Sequence, residues 1–177
     1  MVKIQGAGDN REAKVNSLGR LEVAAFSESA IQDAADLGNA YTISSTYAAT
    51  AGQEVIYIQN TSASLHFHVV SIAAGSTIDT LWTLFKVTSS TAAGGTALTE
   101  RNRNLSSADN APMNSFGDAT VTGGLTGNTL DHWYTLADTT PFIYPFRGGL
   151  RLDENDAIAL TVDANGTVAV TISGFFS

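Results

Sequence analysis

The side chains best able to do chemistry here are three histidines, a short acidic run and a few aromatic residues. His66 and His68 flank Phe67 in a segment that reads as a strand, so alternation puts both imidazoles on one face at a spacing suited to metal ligands. His132 is the one further imidazole, and no carboxylate follows the pair, since Val69-Val70-Ser71-Ile72 comes next. The pair therefore reads as two histidines on a polar or inter-subunit face, with no metal and no other cofactor. Asp153-Glu154-Asn155-Asp156 offers several oxygens but lacks the alternating ligand spacing and distal Glu of a calcium loop. It reads as a solvated turn. Serine and threonine are abundant, yet no G-x-S-x-G elbow occurs. Asp79, Asp131 and Asp138 could supply the two facing carboxylates of a glycosidase, but no spacing singles out a pair. Gly94-Gly95-Thr96 lacks the Lys and following helix of a phosphate loop and reads as a turn. Trp82, Trp133 and Tyr134 could stack on a sugar, although aromatics in strands more often fill a core. The residues favour a protein that is not an enzyme.

Composition narrows the class further. A chain of 177 residues suits one domain with a real core, and a net charge of -8 without any Lys/Arg cluster excludes phosphate backbones as partners, so no nucleic acid is expected. Cysteine is absent, so stability must come from packing or assembly. No apolar run approaches about 18 residues and the N-terminus has no signal-peptide core, so no membrane partner is expected either.

The elements that must position these residues are strands. Residues 1–38 are dense in charge and sparse in apolar side chains, and read as an extended N-terminal arm in which Arg20 to Phe26 could be a strand. Glu28 to Leu37 could form a weak helix that Gly38 stops. Residues 39–177 read as a β-sandwich domain. Strands are predicted over Tyr41 to Tyr47, Glu54 to Gln59, Leu65 to Ile72 and Thr80 to Thr88, punctuated by Gly52, Asn60-Thr61-Ser62 and Ala74-Gly75-Ser76. Residues 89–128 break the rhythm, and a loop of that length should fold partly as short strands, for instance Thr120 to Thr122. Trp133-Tyr134 and Phe142-Ile143-Tyr144 resume the pattern, with Pro141 and Pro145 fencing the latter toward a sheet edge. Two points carry weight. Val55, Ile56, Tyr57 and Ile58 are apolar on both strand faces, so this strand is either covered on both sides or presses on another subunit; an oligomer interface, most simply a trimer's, is expected there. At the C-terminal end, a three-residue loop Ala164-Asn165-Gly166 with Gly166 left-handed would set Val162 against Val168, Leu160 against Val170 and Ile158 against Ile172 in one hairpin.

Three stretches in succession carry a family resemblance. Ala13-Lys14-Val15-Asn16-Ser17-Leu18-Gly19-Arg20-Leu21-Glu22-Val23 has the form A-x-V-x-x-x-G-R-L-x-V; Tyr57-Ile58-Gln59-Asn60-Thr61-Ser62 ends a strand in Asn-Thr-Ser; and Gly94-Gly95-Thr96-Ala97-Leu98-Thr99 leads to Asn102-Arg103-Asn104. In this order they resemble the head decoration, or cement, proteins of tailed bacteriophages. The resemblance implies an all-β, jelly-roll-like antiparallel sandwich, usually a homotrimer, on the outer surface of the virion capsid. Its N-terminal segments would clasp the major capsid protein, and Arg11, Lys14 and Arg20 are the side chains expected to meet that acidic surface. One feature departs from the pattern, because the last two strands of a jelly roll lie in different sheets whereas Asn165-Gly166 reads as a same-sheet turn. Either the turn crosses the sandwich edge or the topology is another sandwich. The alternative function is carbohydrate binding by a β-sandwich of a phage tail or fibre.

Overall fold

The computed structural model describes residues 14–15, 21–22, 30–87, 92–93, 95–121, 129–138 and 140–177. Its elements are β1 (Lys14–Val15), β2 (Leu21–Glu22), α1 (Ala30–Asp36), β3 (Ala40–Ala49), β4 (Glu54–Asn60), β5 (Phe67–Ser76) and β6 (Thr80–Val87). They continue with β7 (Ala92–Ala93), β8 (Thr96–Ala97), β9 (Arg101–Asn102), β10 (Met113–Gly117) and β11 (Thr120–Val121). The last four are β12 (Thr129–Thr135), β13 (Phe142–Leu152), β14 (Ala157–Val162) and β15 (Gly166–Phe176).

Two antiparallel sheets pack face to face. One has the order β12-β6-β14-β4-β10-β8, the other β13-β5-β15-β3-β9. Among β3, β4, β5, β6, β12, β13, β14 and β15, every connection but that from β6 to β12 passes from one sheet to the other. The protein is an all-β sandwich. Period-two patterning accounts for it: Val168, Val170 and Ile172 of β15 are buried while Ala169 and Thr171 between them are not, and Ile158, Leu160 and Val162 of β14 meet the same core from the opposite sheet. Trp82, Phe67, Ile43, Ile56, Ile72 and Leu84 complete that core, each fully buried and each contributing roughly 1.5–3 kcal/mol through apolar surface removed from water.

The expected terminal hairpin is not formed. β14 pairs with β4 and β6, β15 with β3 and β5, so Val162 and Val168 enter the same core from different sheets instead of pairing along a ladder. Inward positions on two facing sheets produce the same apolar coincidence as a hairpin register, which is why the sequence suggests the wrong partner. Gly166 accordingly has no positive φ. It is required by space, since a Cβ there would lie 2.7 Å from Cγ2 of Ile78. Asn165 Oδ1 accepts a hydrogen bond from the Ala51 amide at 2.7 Å, and the Val162 carbonyl accepts one from Gly52 at 2.7 Å, so the crossing hugs the β3–β4 turn.

The doubly apolar strand is also resolved differently. Val55, Ile56, Tyr57 and Ile58 are all buried within the single chain and have no surface left for a neighbour. Ile56 and Ile58 point into the core, while Tyr57 points outward into a cluster with Val87, Ala119, Ala157 and Ala159, with Phe116 packed on it. The cover is the segment following β10, where the Ala119 amide donates to the Glu54 carbonyl at 3.2 Å. The interface expected at these four residues is therefore withdrawn.

At the N-terminal side, β1 and β2 pair with each other alone, Lys14 opposite Glu22 and Val15 opposite Leu21. Helix α1 packs on β3 and β15 with Ala34 buried, and Gly38 ends it at φ 78°, its amide donating to Ala35 while Asn39 donates to Ala34. Residues 30–38 thus dock on the sandwich, although the sequence puts them in the arm. Glu28, the expected helix start, lies outside the described residues. Within residues 89–128, Thr120–Val121 pairs with β7, and β8 and β10 extend the six-stranded sheet beyond β4.

Candidate functional site

The two histidines do share a face. His68 lies opposite Arg151 on β13 and Phe175 on β15, and the His66 backbone exchanges hydrogen bonds with Ser177 at 3.0 and 3.1 Å. This outer face of the five-stranded sheet is a polar network: His66 Nδ1 lies 2.8 Å from Asp153 Oδ1, Arg151 Nε lies 2.9 Å from the same oxygen, and His68 Nε2 lies 2.8 Å from Ser177 Oγ. His68 also stacks on Phe175 with ring centroids 5.0 Å apart. Burial, with Arg151 and His66 nearby, lowers the His68 pKa. His132 lies on β12 of the other sheet, opposite Thr83, and is not brought to this pair. Among the described residues no three His, Asp or Glu side chains gather as metal ligands would.

The acidic turn is held by its own side chains. Asp156 Oδ2 accepts from the Asp153 amide at 3.1 Å, Asn155 adopts φ 62°, and its amide donates to the Asn60 carbonyl at 2.9 Å. Asp79 caps the amide of Ala137 at 2.8 Å, and the amide of Asp138 donates to Ser76 at 2.9 Å, so these two carboxylate residues fasten loops. Asp131 stands apart from them. Gly95 adopts φ 90°, with the Gly117 carbonyl oxygen 2.9 Å from where a Cβ would sit, as a turn residue does.

Trp82, Trp133 and Tyr134 do not form one aromatic platform, and two of them fill the core, as aromatics in strands more often do. Trp82 is wholly buried and donates its Nε1–H to Thr135 Oγ1 at 2.8 Å, Trp133 is buried beside it, and Tyr134 points to the opposite face of β12. A different aromatic arrangement lies where β12 and β13, the edge strands of the two sheets, open a mouth into the sandwich. Phe142, Tyr144 and Phe146 alternate along β13 toward the interior; Tyr144 stacks on Trp133 with centroids 5.3 Å apart and meets Phe146 at 5.0 Å. With Leu130, Asp131, Pro145, Gly149 and Leu150 they line an open groove of about 760 Å³. Asp131 is the single carboxylate among the described lining, and both its oxygens are engaged, one by the amide of His132 at 2.7 Å and the other by the Tyr144 hydroxyl. That bond raises the Tyr144 pKa above the ordinary phenol value. An aromatic groove with one carboxylate offers apolar stacking surface. The sequence held a signal for the groove in Phe142-Ile143-Tyr144-Pro145-Phe146, an aromatic at every second position.

Of the residues expected to meet a capsid, Arg11 and Arg20 lie outside the described residues, and Lys14 is described by its backbone alone, in β1. No protein-family model, curated protein or solved structure matches the chain.

Proposed function

We propose that this chain is a virion structural protein that decorates the outer surface of a tailed-phage capsid, associates with copies of itself and bridges neighbouring major capsid proteins. One observation supports the reading here: the order β3-β15-β5-β13 faces β4-β14-β6-β12, which is the strand order of the jelly roll that the sequence resemblance implies. The turn at Asn165 joins strands of different sheets, which supports the same reading. Attachment would be multivalent, each N-terminal segment adding a contact tethered to the same body, so that contacts of modest strength hold together at high effective concentration. Arg11, Lys14 and Arg20 remain the proposed contacts to acidic capsid surface.

The test is co-sedimentation of the purified chain with heads built from the major capsid protein of the same phage. Saturable binding at a fixed ratio to the capsid lattice, with a raised temperature of head disruption, is the expected result. Heads that sediment without the chain at saturating concentration would refute the proposal.

A further inference from the structure

The chain contains a single Asn-Gly step, Asn165-Gly166, and the fold places it at the crossing from β14 in one sheet to β15 in the other. Asparagine is chemically labile, and most so before glycine, because no side chain shields the glycine nitrogen from the carboxamide carbon that precedes it. Packing keeps that glycine in place. Ile78 fills the space a Cβ would need, with Cγ2 at 2.7 Å and Cδ1 at 2.8 Å, so exchanging Gly166 for a residue that slows the reaction costs stability.

The folded chain restrains both reacting groups. Asn165 is exposed to water, but its Oδ1 accepts from the Ala51 amide at 2.7 Å, which ties the carboxamide to the β3–β4 turn. Gly166 lies opposite Ala49 in the ladder with β3. The next residue is fixed by β5's end: the Thr77 amide donates to the Thr167 carbonyl at 2.9 Å, and Thr77 Oγ1 accepts from the Thr167 amide at 3.3 Å. Ring closure requires the carboxamide to turn onto the Gly166 nitrogen and the peptide between them to rotate. These bonds oppose both movements.

We propose that Asn165 is a modification site guarded by the fold: it stays intact in the closed sandwich and converts to aspartate and isoaspartate in chains whose β15 has not docked. The Gly166 nitrogen gives its proton to hydroxide and bonds to Cγ of Asn165; the Cγ–Nδ2 bond breaks, and Nδ2 takes a proton from water and leaves as ammonia. Water then opens the cyclic imide, and nothing is oxidised or reduced. Attack at Cγ restores the ordinary backbone with aspartate at position 165, whereas attack at the main-chain carbonyl leaves the backbone running through Cγ as isoaspartate. Aspartate keeps the oxygen that the Ala51 amide needs. Isoaspartate lengthens a crossing pinned at both ends, by Gly52 donating to the Val162 carbonyl at 2.7 Å and by Gly166 against Ile78, and so displaces β15 from its register with β3 and β5. A chain altered in this way before folding is excluded from the closed sandwich. The inference is independent of the capsid reading.

The test follows position 165 by peptide mass spectrometry and enzymatic methylation of isoaspartate, in the full chain folded in buffer and unfolded in guanidinium at the same mildly alkaline pH. Conversion should be at least about tenfold faster in the unfolded chain, because the folded one must first open locally. The aged, unfolded sample is then returned to buffer and the refolded protein separated by its resistance to protease. That fraction should contain aspartate at position 165 but be depleted in isoaspartate, which collects in the protease-sensitive remainder. Equal rates of conversion in the folded and unfolded chains, an unfolded chain whose Asn165 stays intact, or a refolded fraction with the same ratio of isoaspartate to aspartate as the starting sample would each overturn the proposal.

Discussion

Two strands that flank β6 in the same sheet differ sharply. All six residues of β14 are buried, while in β12 only Trp133 and Thr135 are. β14 lies between β4 and β6 and has the core on one face and the Tyr57 cluster on the other, so every side chain is fixed by packing. β12 ends the sheet. Its inward residues anchor it, and its remaining positions are free to be selected for contact with something else. Burial on both faces spends a strand on stability, whereas an edge strand leaves surface available for recognition.

The largest effect that would test this contrast is Leu160→Asp in β14, which buries an unpaired charge and should cost more than about 4 kcal/mol, enough to abolish the cooperative thermal transition. A folded Leu160→Asp protein would show that β14 is less constrained than its packing implies. Next comes Gly166→Ala, where the new methyl meets Ile78; about 1–3 kcal/mol should be lost in denaturant titration, with no dependence on a left-handed backbone. Trp82→Phe removes the bond to Thr135 between β6 and β12, and about 1–2 kcal/mol should be lost. A smaller effect is expected from acid. His68 has its pKa lowered in the folded state, so below the unfolded value of 6.5 the unfolded chain gains a proton that the folded chain resists, and stability falls with falling pH. Stability measured from pH 7.5 to 5.5 should decline, and His68→Gln should remove that part of the slope. Smallest of all, Tyr134→Ser on the open face of β12 should change stability by no more than about 0.5 kcal/mol.

Much of the fold was legible in the residues. The strands around Tyr41, Glu54, Phe67 and Thr80 stand within a few residues of their expected places because at least one face of each is buried and punctuation residues separate them. The partner of a strand was less legible than the strand itself. Val162 and Val168 look like a hairpin pair because a sandwich places inward residues of consecutive strands in opposition whether or not they share a sheet. The cover over Tyr57 was hidden for another reason: Phe116 and Ala119 come from a stretch whose composition carries no periodic signal. In the histidine face, the shared side of His66 and His68 follows from alternation, but Asp153 and Ser177 are delivered by register across the chain, which local patterning does not encode. The groove required knowing that the edges of both sheets coincide. Its aromatic alternation was visible, and its location was not.

The order of the strands also sets when the protein can exist. β15 lies between β3 and β5, and β14 lies between β4 and β6, so each sheet has a gap at its centre until these two strands are made. At ribosomal rates of about 5–20 residues per second, β3 waits on the order of ten seconds for its neighbour. During that interval no half of the sandwich can close, and apolar strands such as β4 stand with open edges. Completion therefore waits on β14 and β15, which fill the two sheets in turn, and the nascent chain depends on those edges being kept apart until both strands leave the ribosome.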